Sequence, residues 1–265
     1  MAELYDITVE DVEIPGVVGH GPGDSELVGS TGLAGLLVVP VASEGGISQW
    51  PAVVMVHEAF GLTDVMRRQA ERLARRGFVV LMPDLFTMGG ARSCLRATFR
   101  ALLSGQGRAF VDIERSREWL VSRDDGTGRV GILGFCMGGG FALLAASRGF
   151  NASSVNYGML PKDLDAALGG ACPIVASYGG QDGSMRGAAA KLEAATTRAD
   201  IPHDVKEYPT AGHSFLNDAP SGPKILQPLF SRVLGVGPDP VAAADAWARI
   251  EGFFDEHLRS AIRPS

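Results

Sequence analysis

Val130-Gly131-Ile132-Leu133-Gly134-Phe135-Cys136-Met137-Gly138-Gly139-Gly140-Phe141-Ala142-Leu143-Leu144-Ala145-Ala146 is the stretch that decides the fold. Its apolar start, Val130 to Leu133, reads as a strand, and the small-residue run from Gly139 to Ala146 reads as a helix buried against a sheet. Between them Gly134-Phe135-Cys136-Met137-Gly138 forms a tight turn with cysteine at its apex. Glycines two positions before and two after the apex let strand and helix pass close together, which forces the apex side chain outward.

The rest of the chain supplies partners for that strand and helix. Leu33 to Val39, Ala52 to Val56, Phe78 to Met82 and Ile174 to Ala176 are short aliphatic runs, as expected of strands covered on both faces. Helix signals alternate with them. Thr63 caps a segment in which Met66, Ala70 and Leu73 share a face, and Gly77 stands where a left-handed stop belongs. Phe110, Ile113 and Leu120 mark a second amphipathic helix. Met137 to Arg148 is expected to form one helix ended by Gly149, and Gly183 to Arg198 another. Asp239-Pro240 opens the last, with Trp247, Ile250, Phe254 and Leu258 as its inner stripe. Such alternation predicts a three-layer α/β architecture built on one mostly parallel, twisted sheet of about eight strands. Gly16 to Gly32 reads as an exposed loop within an N-terminal strand-and-loop segment, residues 1–32. Residues 214–238, rich in Pro and Gly, read as a flap beside the site or as a plain surface loop.

Composition excludes several classes of function. At 265 residues the chain fits a single α/β domain, and a 46% hydrophobic content is ample for its core. A net charge of −6 offers no basic footprint for nucleic acid. The acidic N-terminus lacks a basic region followed by an apolar run, and no stretch approaches the roughly 18 apolar residues of a membrane span. Cys94, Cys136 and Cys172 cannot all pair and match no metal spacing, so reduced thiols are expected. These features predict a soluble cytoplasmic enzyme needing no cofactor and no metal, with no membrane partner; they leave the oligomeric state open.

A thiol at such a turn needs a base to take its proton and a third group to hold that base. In the α/β-hydrolase fold, where this turn is the nucleophile elbow, the order along the chain is nucleophile, acid, histidine. Asp182, in Tyr178-Gly179-Gly180-Gln181-Asp182, follows the run ending at Ser177. His213, in Ala211-Gly212-His213-Ser214-Phe215, follows a predicted strand from His203 to Tyr208. All three then lie beyond carboxyl ends of strands, where ligand sites of open α/β sheets form. A Gly-x-Cys-x-Gly alone is compatible with a small core cysteine; joined to the ordered Asp and His, it points to catalysis. The start of the following helix favours a thiolate at Cys136. The N–H of Met137 is one expected oxyanion donor and that of Ala59, in His57-Glu58-Ala59-Phe60-Gly61, the other. Glu58 places a carboxylate at the rim of an apolar strand facing the thiol, and Phe60 beside it is a candidate substrate contact. His57-Glu58 does not start a zinc helix, because no second histidine follows at the required spacing. Cys94, Cys172, His20, His203 and His257 lack comparable context and read as structural.

On His57-Glu58-Ala59-Phe60-Gly61, Pro83-Asp84-Leu85, Gly134-Phe135-Cys136-Met137-Gly138-Gly139, Gly180-Gln181-Asp182 and Ala211-Gly212-His213-Ser214-Phe215, the chain resembles the dienelactone hydrolase family of cysteine α/β-hydrolases. The resemblance implies cleavage of a small ester or lactone by a Cys136–His213–Asp182 triad through a thioester. It further implies that Glu58 pairs with the resting thiol, and that Asp84 is a structural turn residue. The best-known members bind a substrate carboxylate with arginines, one of them shortly after the His-Ser-Phe run. Here that run continues Leu216-Asn217-Asp218, and Arg92, Arg96 and Arg100 do not align with the other position. Two alternatives stand beside hydrolysis. One is a ligand-binding protein on the same fold with little or no turnover. The other is a redox thiol, weakened by the lack of an adjacent resolving cysteine.

Overall fold

The computed structural model describes residues 4–15, 18–19, 27–42, 49–220 and 237–259. Its main sheet has eight strands: β1 (Ile7–Ile14), β4 (Leu33–Pro40), β5 (Trp50–Val56), β6 (Val79–Pro83), β7 (Gly126–Phe135), β8 (Ala152–Asn156), β9 (Ile174–Gly179) and β10 (His203–Tyr208). Two-residue strands β2 (Val18–Gly19) and β3 (Leu27–Val28) pair inside the N-terminal loop. Strand order is β1-β4-β6-β5-β7-β8-β9-β10. β1 and β4 run antiparallel to their neighbours, and every pairing from β6 to β10 is parallel.

All seven residues of β5 are buried. Val54 and Val56 join one core while Val53 and Met55 join the other, as the two-residue period of a strand between two helical layers requires. The first layer holds α2 (Gly90–Ser104), α3 (Arg108–Val121), α4 (Met137–Ala145), α5 (Leu164–Leu168) and α6 (Ala188–Arg198), which contribute Cys94, Phe110, Phe141, Leu168 and Leu192. The second holds α1 (Asp64–Arg75) and α7 (Pro240–Phe254), whose Met66, Leu73, Trp247 and Ile250 share one core. Strand β1 closes one edge of the sheet with Glu10, Asp11 and Glu13, charges that discourage pairing with another sheet.

The predicted caps operate: Thr63 accepts from Met66 N–H at 3.4 Å, and Asp239 accepts from Val241 and Ala242 N–H at 3.2 and 3.1 Å. Gly77 has φ +82°, as its stop position demands. Leu258, the last of the inner stripe, is buried in a single π-helical turn, Asp255–Arg259, beyond α7.

Two helices differ from expectation. The one expected from Met137 to Arg148 ends at Ala145, with Gly149 left-handed at φ +79° beyond it. The one expected from Gly183 to Arg198 is split: Gly183–Met185 is a 3-10 turn, and Gly187, at φ +72°, breaks the chain before α6. Asp182 causes the split, because its carboxylate accepts from both Ser184 N–H (3.0 Å) and Ser184 Oγ–H (2.5 Å) and closes a tight turn. Of the region read as flap or loop, residues 214–217 are buried, and residues 221–236 lie outside the described residues. Among the described residues no helix is long and apolar enough to cross a membrane.

Candidate active site

Cys136 stands between β7 and α4 with φ 55° and ψ −115°, a conformation L-residues avoid. Close packing holds it there. A Cβ on Gly134 would lie 1.9 Å from the Gly138 carbonyl oxygen, and one on Gly138 would lie 2.1 Å from that of Val56. The Cys136 N–H donates to Asn156 O at 3.0 Å, and the Asn156 amide donates to Gly134 O at 3.2 Å, so the end of β8 clamps both sides of the bend. Four non-glycine residues have positive φ among those described, and three of them, Cys136, Tyr157 and Ser214, lie beyond the carboxyl ends of β7, β8 and β10. Strain concentrated in one place is characteristic of a working site.

His213 arrives on the loop after β10, and its Nδ1 lies 2.5 Å from Asp182 Oδ2. Burial pushes the Asp182 carboxyl up, but hydrogen bonds and charge from His213, with those of Ser184, outweigh burial and hold it below the ordinary carboxylate range. Burial pulls the His213 imidazole down. The hydrogen bond with Asp182, followed by hydrogen bonding and charge from Cys136, pushes it up to about 10. His213 thus bonds to Asp182 and lies close enough to Cys136 to feel its sulfur.

Glu58 follows β5 and is almost fully buried. Its Oε1 accepts from Ser214 Oγ–H and from the Asn217 side-chain amide, each at 3.1 Å. In this structure the carboxylate is thus engaged by the histidine loop, while the thiol acts on His213. The same loop is anchored from outside by a two-bond Arg68–Asp218 pair, at 2.5 and 2.8 Å, and by Gln69 Nε2–H donating to Leu216 O at 2.9 Å.

Sequence reasoning missed Tyr157. Its ring packs 5.0 Å from that of His213, and its hydroxyl lies 3.5 Å from Asn217 Oδ1. Burial first, then the charges of Glu58 and Cys136, push the phenol well above its ordinary range, so it stays protonated. It follows β8, the strand whose polar residues hid it. Phe60 is exposed at the lip of the turn after β5. Arg92, Arg96 and Arg100 lie on the exposed side of α2. Neither the Ala59 N–H nor the Met137 N–H has an acceptor among the described residues.

This strand order, with a strained cysteine between β7 and α4 and an Asp–His pair after β9 and β10, defines an α/β-hydrolase fold with sulfur at its elbow. The dienelactone hydrolase family model matches residues 33–258, and the chain belongs to that family of hydrolases. It is 31% identical to the carboxymethylenebutenolidase of Rhodococcus opacus over 222 residues, which are 78% of this chain and 81% of that one. In shape it is similar to a dienelactone hydrolase-like promiscuous phosphotriesterase from metagenomic libraries, with TM-score 0.69, 22% identity, and coverage of 95% and 99%. It is likewise similar to the dienelactone hydrolase of Anabaena variabilis, with TM-score 0.66, 21% identity, and coverage of 97% and 100%.

Proposed function

We propose that this chain hydrolyses a small ester or lactone through a thioester on Cys136. The observation that carries the reading is the His213 imidazole, gripped by Asp182 and raised toward 10 by Asp182 and the thiol together. An imidazole so placed takes the proton of the thiol and holds it. The Cys136 thiolate attacks the carbonyl carbon, and the oxyanion is received by the N–H groups of Met137 and Ala59, each contributing on the order of 3 kcal/mol. Collapse breaks the carbon–oxygen bond, and His213 gives its proton to the departing alkoxide. His213 then takes a proton from water, hydroxide attacks the thioester carbonyl, and the acid leaves with the thiolate restored. Asp182 fixes the ring orientation throughout. Glu58 accepts from Ser214 and Asn217 and so ties the histidine loop to the end of β5; Phe60 offers an apolar face at the entrance.

Relatives bear the name carboxymethylenebutenolidase, so lactones head the panel of candidate substrates, with aryl esters beside them. The first test is steady-state turnover on that panel, with intact-mass detection of a single acyl group on Cys136 during turnover. Acylation at any other residue would overturn the proposal.

Asp182→Asn is expected to lower kcat on the order of 10³-fold with little change in KM, because the amide favours the wrong imidazole tautomer. Stopped assays on the best substrate of the panel would measure it. A pH dependence follows as well. His213 has a folded value of about 10 against 6.5 in the unfolded chain. Its contribution to stability is therefore complete below pH 6.5, declines as pH rises, and is gone above about 10. The difference in thermal midpoint between wild type and His213→Gln should shrink across that window, and kcat/KM should fall on its alkaline side near pH 10.

A further inference from the structure

We infer that His57 is a positioning residue: its ring fixes the orientation of the Glu58–Ala59 peptide and so aims the Ala59 N–H at the oxyanion. The inference rests on the hydrolytic reading of the site. His57 is completely buried at the end of β5, with its ring 4.9 Å from that of Phe86. Its Nδ1 lies 2.7 Å from Glu58 O, while Leu85 N–H donates to its Nε2 at 3.2 Å. These two bonds assign one tautomer, because Nε2 must accept and Nδ1 must therefore carry the hydrogen. Burial, the largest influence, lowers the affinity of the ring for a second proton, despite the Glu58 carbonyl and Asp84.

The Glu58 carbonyl also accepts from Gly61 N–H at 3.1 Å, so two donors hold it. No cis peptide occurs in the described chain. Across a trans peptide the C=O and the next N–H point in opposite directions. Drawing the Glu58 oxygen toward His57 and Gly61 therefore turns the Ala59 N–H the other way, where it has no acceptor among the described residues. A flipped peptide would present the carbonyl oxygen to a developing anion, and would give up two hydrogen bonds in a buried place. His57 has no need to touch the substrate; it acts through the peptide beside it.

Two substitutions separate this role from simple core packing. His57→Asn keeps a donor near the Nδ1 position but loses the partner of Leu85 N–H. His57→Gln keeps an acceptor near Nε2 but loses the donor to Glu58 O. The readouts are kcat and KM on an ester, and the rate at which iodoacetamide alkylates Cys136, a displacement that forms no oxyanion. His57→Gln should lose about 10²-fold in kcat with KM and alkylation rate near wild type, as expected for a misaimed oxyanion donor. His57→Asn should stay within about fivefold of wild type in kcat. If the Gln variant does not fold, His57→Phe, similar in volume and unable to donate, takes its place. Full kcat in the Gln or Phe variant would overturn the inference, as would loss confined to Asn or alkylation falling in step with kcat. Wild-type protein that turns over no ester defeats the hydrolytic reading, and this inference with it. Normal wild-type turnover with an unaffected Gln variant defeats this inference alone.

Discussion

Cys136→Ala is expected to lower kcat/KM on every ester or lactone the protein cleaves by on the order of 10⁴-fold or more, leaving the fold intact. The size follows from the proposed role of the sulfur, which is to bond to the acyl carbon; without it a positioned histidine and oxyanion donors are left with nothing to activate except water. The fold should survive because alanine inherits a backbone geometry that cysteine already adopts at a cost, φ 55°, and removes only a partly exposed sulfur. His213 would change too. Hydrogen bonding and charge from Cys136 are among the influences raising it toward 10, so without the sulfur its titration should move back down. Steady-state kinetics, the thermal midpoint and an NMR titration of the His213 ring check the three consequences together. Turnover in Cys136→Ala close to wild type, with an unchanged midpoint, would show that another group carries the chemistry.

The parts of this molecule that were legible in its sequence are those where one physical demand dominates. β5 must face two helical layers, so all its positions are buried and it reads as an unbroken aliphatic run. The elbow must bring backbone against backbone, so glycines stand at 134 and 138. Asp182 and His213 each follow a parallel strand, in the chain order that an elbow nucleophile calls for. β8 was not legible. Ala152–Asn156 is completely buried although Ser153, Ser154 and Asn156 are polar. Their burial is possible because Ser153 Oγ–H donates to Ala142 O at 2.9 Å and the Asn156 amide donates to Gly134 O, partners distant in sequence. Missing β8 meant missing Tyr157 at its end. The helix expected over Gly183 to Arg198 failed for a related reason. Gly183 and Gly187 weaken the helix there, and the Asp182 carboxylate that faces His213 also closes the 3-10 turn with Ser184. Residues that serve the site bend the chain locally, and propensity carries no record of that.

Gly134→Ala should destabilise the protein by at least about 4 kcal/mol, or leave no folded protein to measure, whereas Gly140→Ala should stay within about 1 kcal/mol of wild type. Both positions belong to the strand–turn–helix that decides the fold, yet their surroundings differ in kind. The methyl group on residue 134 would sit 1.9 Å from the Gly138 oxygen and 2.2 Å from its carbonyl carbon. No rotamer relieves a clash between two backbones, so β7 and α4 would have to separate. That separation would break the Cys136–Asn156 hydrogen bond and open the two cores that meet along β7. On residue 140 the same methyl meets the Leu102 side chain at 3.0 and 3.2 Å, atoms that can swing away, and the Met159 oxygen at 3.4 Å. Alanine also restores up to about 1 kcal/mol of helix propensity there, which offsets the crowding. Chemical denaturation of both variants supplies the comparison. Equal midpoints would mean that the elbow yields more easily than its geometry allows. A large loss at 134 alone would show that the close passage exposing the sulfur is also what joins sheet to helix, so the bend that presents Cys136 cannot be relaxed without unfolding the domain around it.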